Sequence, residues 1–407
     1  MDVQNKIFDL EGKVQPYQWG GFTYIPTLLS REVIPGQPSA EYWLGAHTAA
    51  PSIVNGNRPL NELISEHPEW LGAKVQSAFG RLPYLLKVLD VKDMLSIQVH
   101  PSRESAKKGF ALENEAGIPL NAPHRNYKDD NHKPELAYAL SDMWLLHGFR
   151  SAASLKEVLQ ERPELQFLLP VFGEDNYAAL YRFVMEMPQE EVNRHLQPLI
   201  DRISPLYLDS KLDKTNPDFW AARAAITYNT ADRIDRGIFS VYFLNVVRLE
   251  KGKAIFQDAG LLHAYLEGQN VEIMANSDNV LRGGLTPKHV DVPELMKHVH
   301  FVETIPQPLD GTSLQPGEQA FITPAEDFEL HKLTLAAGQS LKIQSPTVEI
   351  LLVIEGEISV SEINAPGAVP LTLKKGQSLL LTSGAAIEIK SVENSLAFRA
   401  TVPGADQ

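Results

Sequence analysis

The sequence of 407 residues contains no cysteine. Disulfides, thiol nucleophiles and cysteine-ligated metal sites are therefore excluded, and a bound metal could be held only by histidine, carboxylate or amide side chains. The 12 histidines keep that kind of metal site open.

Long apolar segments and an N-terminal leader are also missing. The start, Met-Asp-Val-Gln-Asn-Lys, has no basic segment followed by an apolar one, and apolar runs such as Glu349–Glu355 are far too short to cross a bilayer. We therefore expect a cytoplasmic protein without a membrane partner.

The sequence has fewer basic than acidic residues: it contains 37 Lys and Arg but 51 Asp and Glu, and its formal net charge is −14. Such an acidic surface repels nucleic acid and, at long range, small anions. With 43% hydrophobic and 22% charged residues, the composition is that of a globular protein able to bury a core. The length predicts two or three domains and the charge predicts no nucleic-acid partner.

Residues 1–150 are predicted to form the first part of a β-rich catalytic domain. Short apolar runs alternate there with Pro, Gly and Asn, a pattern typical of antiparallel strands joined by long loops. The clearest predicted strands are Leu85–Val91, Met94–His100 and Leu136–Leu140.

The pattern changes over residues 151–228, which are predicted to be a helical insertion. Ser154–Glu157 has the sequence of a capping box, and apolar residues from Val192 to Ile203 recur on one helical face. Helices are also predicted over Asp175–Met187 and Pro217–Ile226. We expect this insertion to be a packing module without chemistry of its own.

Strand patterns return over residues 229–318, the predicted second part of the catalytic domain. The strands are expected at Phe239–Leu249, Lys253–Gln257, Leu261–Leu266 and Val271–Met274, and Ile305–Pro316 is expected to be a linker. Residues 319–407 contain short strands with regularly spaced glycine turns, which predicts a separate small sandwich or barrel.

Three polar segments interrupt the apolar strands. On the strand ending at His100, alternation places Ser96, Gln98 and His100 on the face opposite Leu95, Ile97 and Val99. A single histidine on a strand is more often an ordinary core or surface group than a metal ligand. The polar face is costly to bury without partners, so it remains a candidate site.

The second segment runs from Tyr127 to Leu140, and the third from Asp258 to Asn276. In the second, Glu135 shares a face with two alanines that leave room around its carboxylate, although a charged loop entering a strand is the simpler explanation. In the third, His263 and Tyr265 share a face, and a turn is expected at Gly268 and Asn270 before Glu272.

Together the three segments supply Gln98, His100, Glu135 and His263, two nitrogen and two oxygen donors on strands. This donor set suits a zinc site with an open position for water or substrate. A Gln carbonyl leaves more positive charge on the metal than a second carboxylate would, which favours Lewis-acid chemistry.

Tyr127–Glu135 and the stretch from His263 to Lys288 resemble the two signature segments of the type I mannose-6-phosphate isomerase family. The Gln98–Pro101 strand and Trp43–Gly45 are similar to this family too, and the resemblance covers nearly the whole chain. It implies a fold that is mainly β with an α insertion, built on a cupin (jelly-roll) catalytic domain. It also implies one Zn²⁺ per chain and reversible conversion of mannose 6-phosphate to fructose 6-phosphate.

The cupin interpretation can be checked against the sequence. Gly252 to His263 is close to the second cupin motif, with Asp258 where proline is usual, and Gln98-Val-His100 stands where the first motif has His-x-His. Val348–Val360 has cupin-like spacing but contains no histidine. The C-terminal domain is therefore expected to be a structural cupin-like domain without metal ligands.

The resemblance implies a role for each matching residue. The metal ligands are Gln98, His100, Glu135 and His263; the catalytic residues are Arg282, Lys133, His132 and Asp278; the substrate-binding residues are Ser96, Glu272, Lys288 and Tyr265, of which Ser96 and Lys288 match positions linked to the phosphate.

Isomerisation of an aldose to a ketose passes through a cis-enediol and needs a base, a proton shuttle and positive charge. Arg282 remains charged and is expected to stabilise the enediolate, although a phosphate clamp is the alternative. Lys133 with His132 is the first choice of base, with Glu272, Asp278 and a zinc-bound water as rivals; Asp278 is expected to orient Arg282.

Because the substrate is anionic, an acidic protein needs a locally basic pocket, which Arg282, Lys288 and Lys133 would supply. The alternatives are a cupin acting on another phosphosugar, a cupin oxygenase and a non-catalytic sugar-phosphate sensor. An oxygenase usually has more histidine ligands than the two candidates here, which argues against that alternative. A monomer or weak homo-oligomer is expected, and the pathway, mannose catabolism or GDP-mannose biosynthesis, stays open.

Overall fold

The computed structural model describes residues 6–363 and 369–404. Its strands, numbered β1 to β23 in chain order, are Ile7–Glu11, Lys13–Gln15, Glu41–Gly45, Ile53–Val54, Arg58–Pro59, Tyr84–Val91, Ile97–Val99, Glu135–Ala139, Met143–Phe149, Leu244–Leu249, Ala254–Gln257, His263–Ala275, Leu281–Gly284, Thr312–Gln315, Glu318–Phe321, Glu329–Leu335, Ser340–Ser345, Glu349–Glu355, Glu357–Glu362, Leu371–Lys374, Ser378–Leu381, Ala385–Ser391 and Ser395–Thr401. Its α-helices, α1 to α11, are Tyr24–Leu28, Leu60–Glu66, Ala73–Ala78, Arg103–Glu115, Ala152–Gln160, Leu169–Phe172, Tyr177–Glu186, Gln189–Leu208, Pro217–Tyr228, Gly237–Phe243 and Val292–His298. Pro68–Leu71 and Pro163–Leu168 are 3-10 helices.

An antiparallel ten-stranded sheet is organised around the long strand β12. The order is β10-β9-β12-β6-β3-β2, and β12 also pairs with β7 and β8, which carry β13 and β11 at their outer sides. A strand of 13 residues can pair with four neighbours because different parts of its length face different partners. The result is the curved arrangement of a cupin, in agreement with the predicted fold class.

The predicted alternation of β7, β8 and β12 is confirmed. Ile97 and Val99 pack into a core shared with the helices, whereas Leu136 and Tyr138 pack into a core shared with the C-terminal strands. The opposite faces of these strands, which carry the predicted polar residues, therefore turn toward the inside of the catalytic barrel.

The helical region packs directly on the catalytic sheet. Buried aromatic side chains such as Trp220, Tyr181 and Phe239 belong to the same core as Phe149 of β9. The helices near 175–187, 192–203 and 217–226 are confirmed, but the first helix begins after Ser151, whose side chain accepts from the backbone N–H of Ser154. The capping box predicted to start at Ser154 was therefore placed one turn too late.

The predicted strand Phe239–Leu249 is wrong in its first half, because Gly237–Phe243 is helix α10. All seven residues of α10 are buried, so the helix has no polar face whose period could distinguish it from a strand. Only Leu244–Leu249 forms the expected strand.

Three other local predictions also need correction. The predicted long loop after His100 contains helix α4, capped by Ser102, and the predicted strand Met94–His100 is reduced to β7. The turn expected at Gly268 and Asn270 lies inside the continuous strand β12. Gly268 has φ of 124°, and a Cβ there would lie 2.9 Å from the Cα of Met143, so the glycine permits a close strand crossing rather than a reversal.

The C-terminal strands form a sandwich between two sheets. One is a nine-stranded sheet ordered β14-β15-β16-β23-β18-β21-β1-β4-β5, and the other is the four-stranded sheet β17-β22-β19-β20. The glycine turns expected at Gly338, Gly356, Gly376 and Gly384 all have positive φ. The other face of the nine-stranded sheet packs against the outside of β6, β8 and β12, so both domains share an apolar core.

The N-terminal strand belongs to the C-terminal sheet. Ile7 pairs with Leu381, and Leu10 pairs with both Ser378 and Val54. The segment predicted as a linker also contains strand β14. The domain boundaries at 150, 228 and 318 stay predictions.

The predicted absence of a leader rests mainly on Met1 to Asn5, which lie outside the described residues. Across the described part of the chain, no helix combines the length and the apolar character that membrane crossing requires.

Candidate metal and substrate site

Three of the four predicted metal ligands meet inside the catalytic barrel. Single ligand atoms of His100, Glu135 and His263 all lie within 4.8 Å of one another, and the three side chains are buried. Nε2 of His100 lies 3.3 Å from Oε1 of Glu135, and Nε2 of His263 lies 3.3 Å from Oε2 of the same carboxylate. Glu135 begins β8 and His263 begins β12, while His100 directly follows β7, and both β7 and β8 pair with β12.

The orientation of both imidazoles is set by backbone carbonyls. Nδ1 of His100 lies 2.8 Å from the carbonyl oxygen of Asn279, and Nδ1 of His263 lies 2.9 Å from that of Leu261. A carbonyl oxygen only accepts, so each Nδ1 carries the proton and each Nε2 presents a lone pair. Burial lowers the pKa of His100 to about 4, which keeps this ring neutral and able to bind a metal.

Nε2 of His100, Nε2 of His263 and Oε2 of Glu135 are buried and make no hydrogen bond to any residue that the structure describes. Lone pairs and a carboxylate facing each other at this distance repel unless a cation lies among them. The donor set therefore fits a divalent ion such as zinc. Gln98 is directly opposite His263 on the neighbouring strand β7, where its side chain projects on the same side.

Lys133 lies beside the ligand cluster. Its Nζ is 3.3 Å from Oε1 of Glu135, and the lysine is buried. Burial would raise the pKa of Glu135, but the positive charge of Lys133 and the contacts with His100 outweigh it and hold that pKa well below its usual value. Glu135 is therefore an anion, as a metal ligand must be.

A second buried network lies on the adjoining strands. Oε1 of Glu272 accepts from the hydroxyl of Tyr265 at 2.8 Å, and Oε2 accepts from Nζ of Lys87 at 3.0 Å. Lys87 also lies 3.3 Å from Oε2 of Glu41. In this network the hydroxyl of Tyr265, a predicted substrate-binding residue, holds Glu272 in place.

Burial raises the pKa of Glu272, and the nearby carboxylates add to this effect against the opposing charge of Lys87. Burial alone would lower the pKa of Lys87, yet Glu272 and Glu41 raise it above its usual value. The sequence interpretation missed Lys87, although a lysine in the middle of the apolar strand Leu85–Val91 was a visible signal.

Cations without carboxylate partners gather around the predicted phosphate residues. Arg282 pairs in register with Gln98, and burial lowers its pKa. The pKa of Lys288 is lowered by burial and then by Arg282 and Lys128, and the pKa of Lys128 is likewise lowered by burial and by neighbouring cations.

Within residues 6–363 and 369–404, none of these three cations forms an ion pair, so their charge is available to an anion. Ser96, next to the Ile97 that pairs with Gly284, borders the same loop. Lys128 was the member of this group that the sequence interpretation missed.

Two predicted catalytic residues point elsewhere. Nε2 of His132 lies 2.7 Å from Oδ2 of Asp327 and 2.5 Å from Arg103, at the junction with the C-terminal domain. Asp278 contacts Nε2 of His47 at 3.1 Å rather than Arg282, and this contact holds its pKa below the usual value against the effect of burial.

Known proteins are similar to this chain in sequence and in fold. The family model of the phosphomannose isomerase type I catalytic domain matches residues 7–152. The mannose-6-phosphate isomerase of Escherichia coli (strain K12) is 37% identical over 386 residues, which are 92% of this chain and 94% of the relative. The chain belongs to the type I mannose-6-phosphate isomerase family.

The family extends to more distant organisms and to solved structures. The mannose-6-phosphate isomerase of Mus musculus is 31% identical over 437 residues, covering 97% of this chain and 98% of the relative. The mannose 6-phosphate isomerase from Salmonella typhimurium, crystallised with fructose 6-phosphate and zinc, has a TM-score of 0.85 and 33% identity, covering 98% of this chain and 100% of that chain. A zinc-bound holo structure of a mannose 6-phosphate isomerase has a TM-score of 0.86 and 32% identity, with the same coverage.

These comparisons confirm the family, the enzyme class and the fold predicted from the sequence. They also agree with the predicted metal, because zinc occupies relatives of similar fold and this chain has a buried ligand set suited to it. The predicted roles of single residues, the oligomeric state and the cytoplasmic location stay predictions.

Proposed function

We propose that this protein interconverts mannose 6-phosphate and fructose 6-phosphate as a zinc-dependent isomerase. The observation that carries the proposal is the set of three buried ligand atoms without partners, enclosed in a barrel whose rim carries unpaired cations. Membership in the mannose-6-phosphate isomerase family supports the same substrate pair.

His100, Glu135, His263 and Gln98 would hold the zinc ion. Zinc, when bound, supplies positive charge that favours negatively charged sugar oxygens in a dry cavity. The two backbone carbonyls that hold the imidazoles fix the ligand directions before binding, so little reorganisation is needed.

Arg282, Lys288, Lys128 and the hydroxyl of Ser96 would bind the phosphate and the adjoining sugar oxygens. Because none of these cations is neutralised by a carboxylate, a dianion gains attraction there although the protein as a whole repels it. Arg282, the most buried of the three, would also stabilise the enediolate.

Proton transfer requires removal of a proton from C2, its return to C1 and exchange of a proton between O1 and O2 through a cis-enediol. Lys133, acting as a neutral amine, is assigned as the base because its Nζ lies beside the ligand cluster. Glu272 is assigned to the oxygen shuttle, because its raised pKa and its bonds to Tyr265 and Lys87 suit a group that gains and loses a proton. In this proposal His132 takes no part in proton transfer and only supports the loop before Lys133 through its contact with Asp327.

A coupled assay tests the function directly. Purified protein loaded with zinc should form fructose 6-phosphate from mannose 6-phosphate, and complete removal of metal by a chelator should abolish turnover until zinc is restored. Absence of activity in the metal-loaded protein would contradict the isomerase assignment, and full activity without metal would contradict the zinc assignment.

Arg282→Ala tests the assigned electrostatic role. Turnover should fall by about two to three orders of magnitude, as is typical when a charge that stabilises an oxyanion is removed, with zinc content unchanged. Arg248→Ala is the matched control, because Arg248 is exposed and paired with Asp142 far from the cluster. Loss of zinc from Arg282→Ala would instead show that the arginine is structural.

A further inference from the structure

A buried carboxylate from the end of the helical region holds the loop that follows Arg282. Oδ1 of Asp235 accepts from the backbone N–H of Gly237 and of Leu285, both at 2.8 Å, and Oδ2 accepts from the N–H of Thr286 at 3.1 Å. Asp235 is 3% exposed and contacts no predicted site residue through its side chain. Its carboxylate therefore orders the backbone of Leu285 and Thr286 against the start of the following helix.

The loop needs such an anchor because its backbone is strained. Leu285 has φ of 52°, a left-handed conformation that costs a leucine free energy, and it is fully buried. The neighbouring backbones also touch: a Cβ on Gly284 would lie 2.4 Å from the Cα of Gly237. The loop can take this path only where Asp235 and the two glycines let it approach α10.

Hydrogen bonds lead from this anchor to the cation at the rim. The hydroxyl oxygen of Thr286, whose own N–H is held by Asp235, accepts from the backbone N–H of Lys288 at 3.1 Å. On the other side, the strand entering the loop carries Arg282. Asp235 therefore holds the stretch of backbone that lies between the two cations, Arg282 and Lys288.

The anchor itself rests on the helical region. The backbone N–H of Asp235 donates to Asn229, and the N–H of Ile234 donates to Asn193 of α8. Helix α10, which begins two residues after Asp235, is wholly buried. The helices thus provide a rigid support for a loop of the catalytic domain, a role beyond the packing module predicted from the sequence.

Within the described part of the chain, Asp235 forms no ion pair with the cations around it. A cavity of about 320 Å³ is lined by Asp235 together with Arg233, Arg236, Lys288 and His289. Because the carboxylate already accepts three backbone N–H groups, its charge is stabilised by those dipoles and Lys288 remains unpaired.

We propose that Asp235 is a positioning residue for phosphate binding: its carboxylate fixes the Leu285–Thr286 backbone so that Arg282 and Lys288 face one anion together. This inference rests on the proposed function of those two cations. It assigns to the helical region a direct influence on substrate affinity.

Asp235→Asn in the zinc-loaded full chain tests the proposal. An amide has only one acceptor oxygen, so its NH₂ group would face the N–H of Thr286. The hydrogen bond that holds Thr286, and through it the backbone of Lys288, would be lost. We expect KM for mannose 6-phosphate and the inhibition constant of inorganic phosphate to rise together about tenfold, the effect of one lost charge-assisted hydrogen bond. The kcat should change less than about threefold, and zinc should stay stoichiometric.

Asp218→Asn is the matched control. Asp218 is another buried carboxylate of the helical region, bound to Nε of Arg162 at 2.7 Å and to the hydroxyl of Tyr242 at 3.0 Å, with no contact to the loop. It should lower Tm and leave KM and phosphate inhibition unchanged. Unchanged phosphate inhibition in Asp235→Asn, or an equal rise in Asp218→Asn, would overturn the proposal.

A double substitution separates positioning from general loosening. If Asp235 acts through Lys288, adding Asp235→Asn to Lys288→Ala should raise KM far less than it does alone; additive effects would contradict the proposal. If Asp235→Asn does not fold, Thr286→Val removes the same link, and wild-type phosphate inhibition in that variant would likewise overturn it. Isomerase activity of the wild type is measured first, so that its absence counts against the proposed function rather than against this loop.

Discussion

The catalytic barrel and the C-terminal sandwich, or C-terminal barrel, bury charged side chains in different ways. Inside the catalytic barrel, Nε2 of His100, Nε2 of His263 and Oε2 of Glu135 have no partners. Inside the C-terminal barrel, Arg399 lies 3.2 Å from carboxylate oxygens of both Glu318 and Glu349. The catalytic barrel pairs Lys87 with Glu272 but leaves these three ligand atoms open to a cation, whereas the C-terminal barrel pairs Arg399 with its own carboxylates.

The paired network of the C-terminal barrel is extensive. Glu318 also contacts Nδ1 of His331 at 2.7 Å, and Glu349 accepts from the hydroxyls of Ser345 and Thr401 at 3.0 Å each. These residues project on the same strand faces as the apolar core of that sandwich. A buried charge is tolerated when it is paired and hydrogen-bonded, so this network is satisfied by its own side chains. The ligand atoms in the catalytic barrel lack such partners among the described residues, which favours binding of a cation.

The largest contrast should come from replacing one histidine in each barrel. His263→Ala removes a ligand, so zinc should be lost and turnover should fall by about three orders of magnitude or more. His331→Gln, the matched control in the other barrel, should retain zinc and turnover. Elemental analysis and the coupled assay measure both, and stoichiometric zinc in His263→Ala would refute the ligand assignment.

Arg399→Met should affect stability rather than chemistry. It leaves two carboxylates buried without their cation, which costs about 3–5 kcal/mol of unfolding free energy, while kcat of the folded protein stays unchanged. Arg248→Met, which breaks an exposed pair, should cost less than about 1 kcal/mol. Denaturant unfolding monitored by fluorescence gives both values. Equal stability of the two variants would remove the contrast between the barrels.

The faces of the strands that build the site were predictable from the sequence. Glu135 with its alternating alanines, and His263 with Tyr265, have the period of two that a strand imposes, so their inward projection followed from local pattern. The candidate ligands could therefore be placed on inward faces from the sequence, while their roles come from the family resemblance and stay predictions.

Other features depend on contacts between distant segments. Helix α10 has no polar residue pattern because it is buried on every side, and Lys87 reaches Glu272 only because β6 pairs with β12. Asp278 is near Arg282 in sequence but bonds His47, which a distant loop brings to it. Local periodicity carries no information about such long-range partners.

The C-terminal network should also respond to acid. Burial would raise the pKa of Glu318, but His331 and Arg399 outweigh it and lower that pKa to about 2. Because the folded pKa is depressed, the stabilisation by Glu318 is present above its unfolded pKa of about 4.3 and is lost as the pH falls toward 2.

Glu318→Gln should therefore lower Tm by about 2–4 °C at pH 6, with a difference that shrinks toward pH 3. Calorimetry of the wild type and the variant across this range measures it. The pKa of His331 is raised by the glutamates against the effect of burial, so its own contribution is present below about pH 6.5 and fades at higher pH. A Tm difference that does not depend on pH between 3 and 6 would contradict the pairing of Glu318.

The smallest effect is expected where the two barrels meet. His132 contacts Asp327, which precedes β16, rather than the ligand cluster, so His132→Gln should reduce kcat less than about tenfold. Steady-state kinetics beside the wild type measure this. A loss of two orders of magnitude or more would instead support the catalytic role that the family resemblance implies for His132.

Strand β1 has a consequence for how the chain is made. Strand β1, at residues 7–11, pairs with β21, at residues 378–381, so the nine-stranded sheet closes only after the long stretch of chain between them has been synthesised. Neither a fragment ending after the catalytic strands nor one beginning at residue 319 contains a complete set of strands. We therefore expect the two barrels to fold and unfold together. A chain truncated near either end should remain incompletely folded.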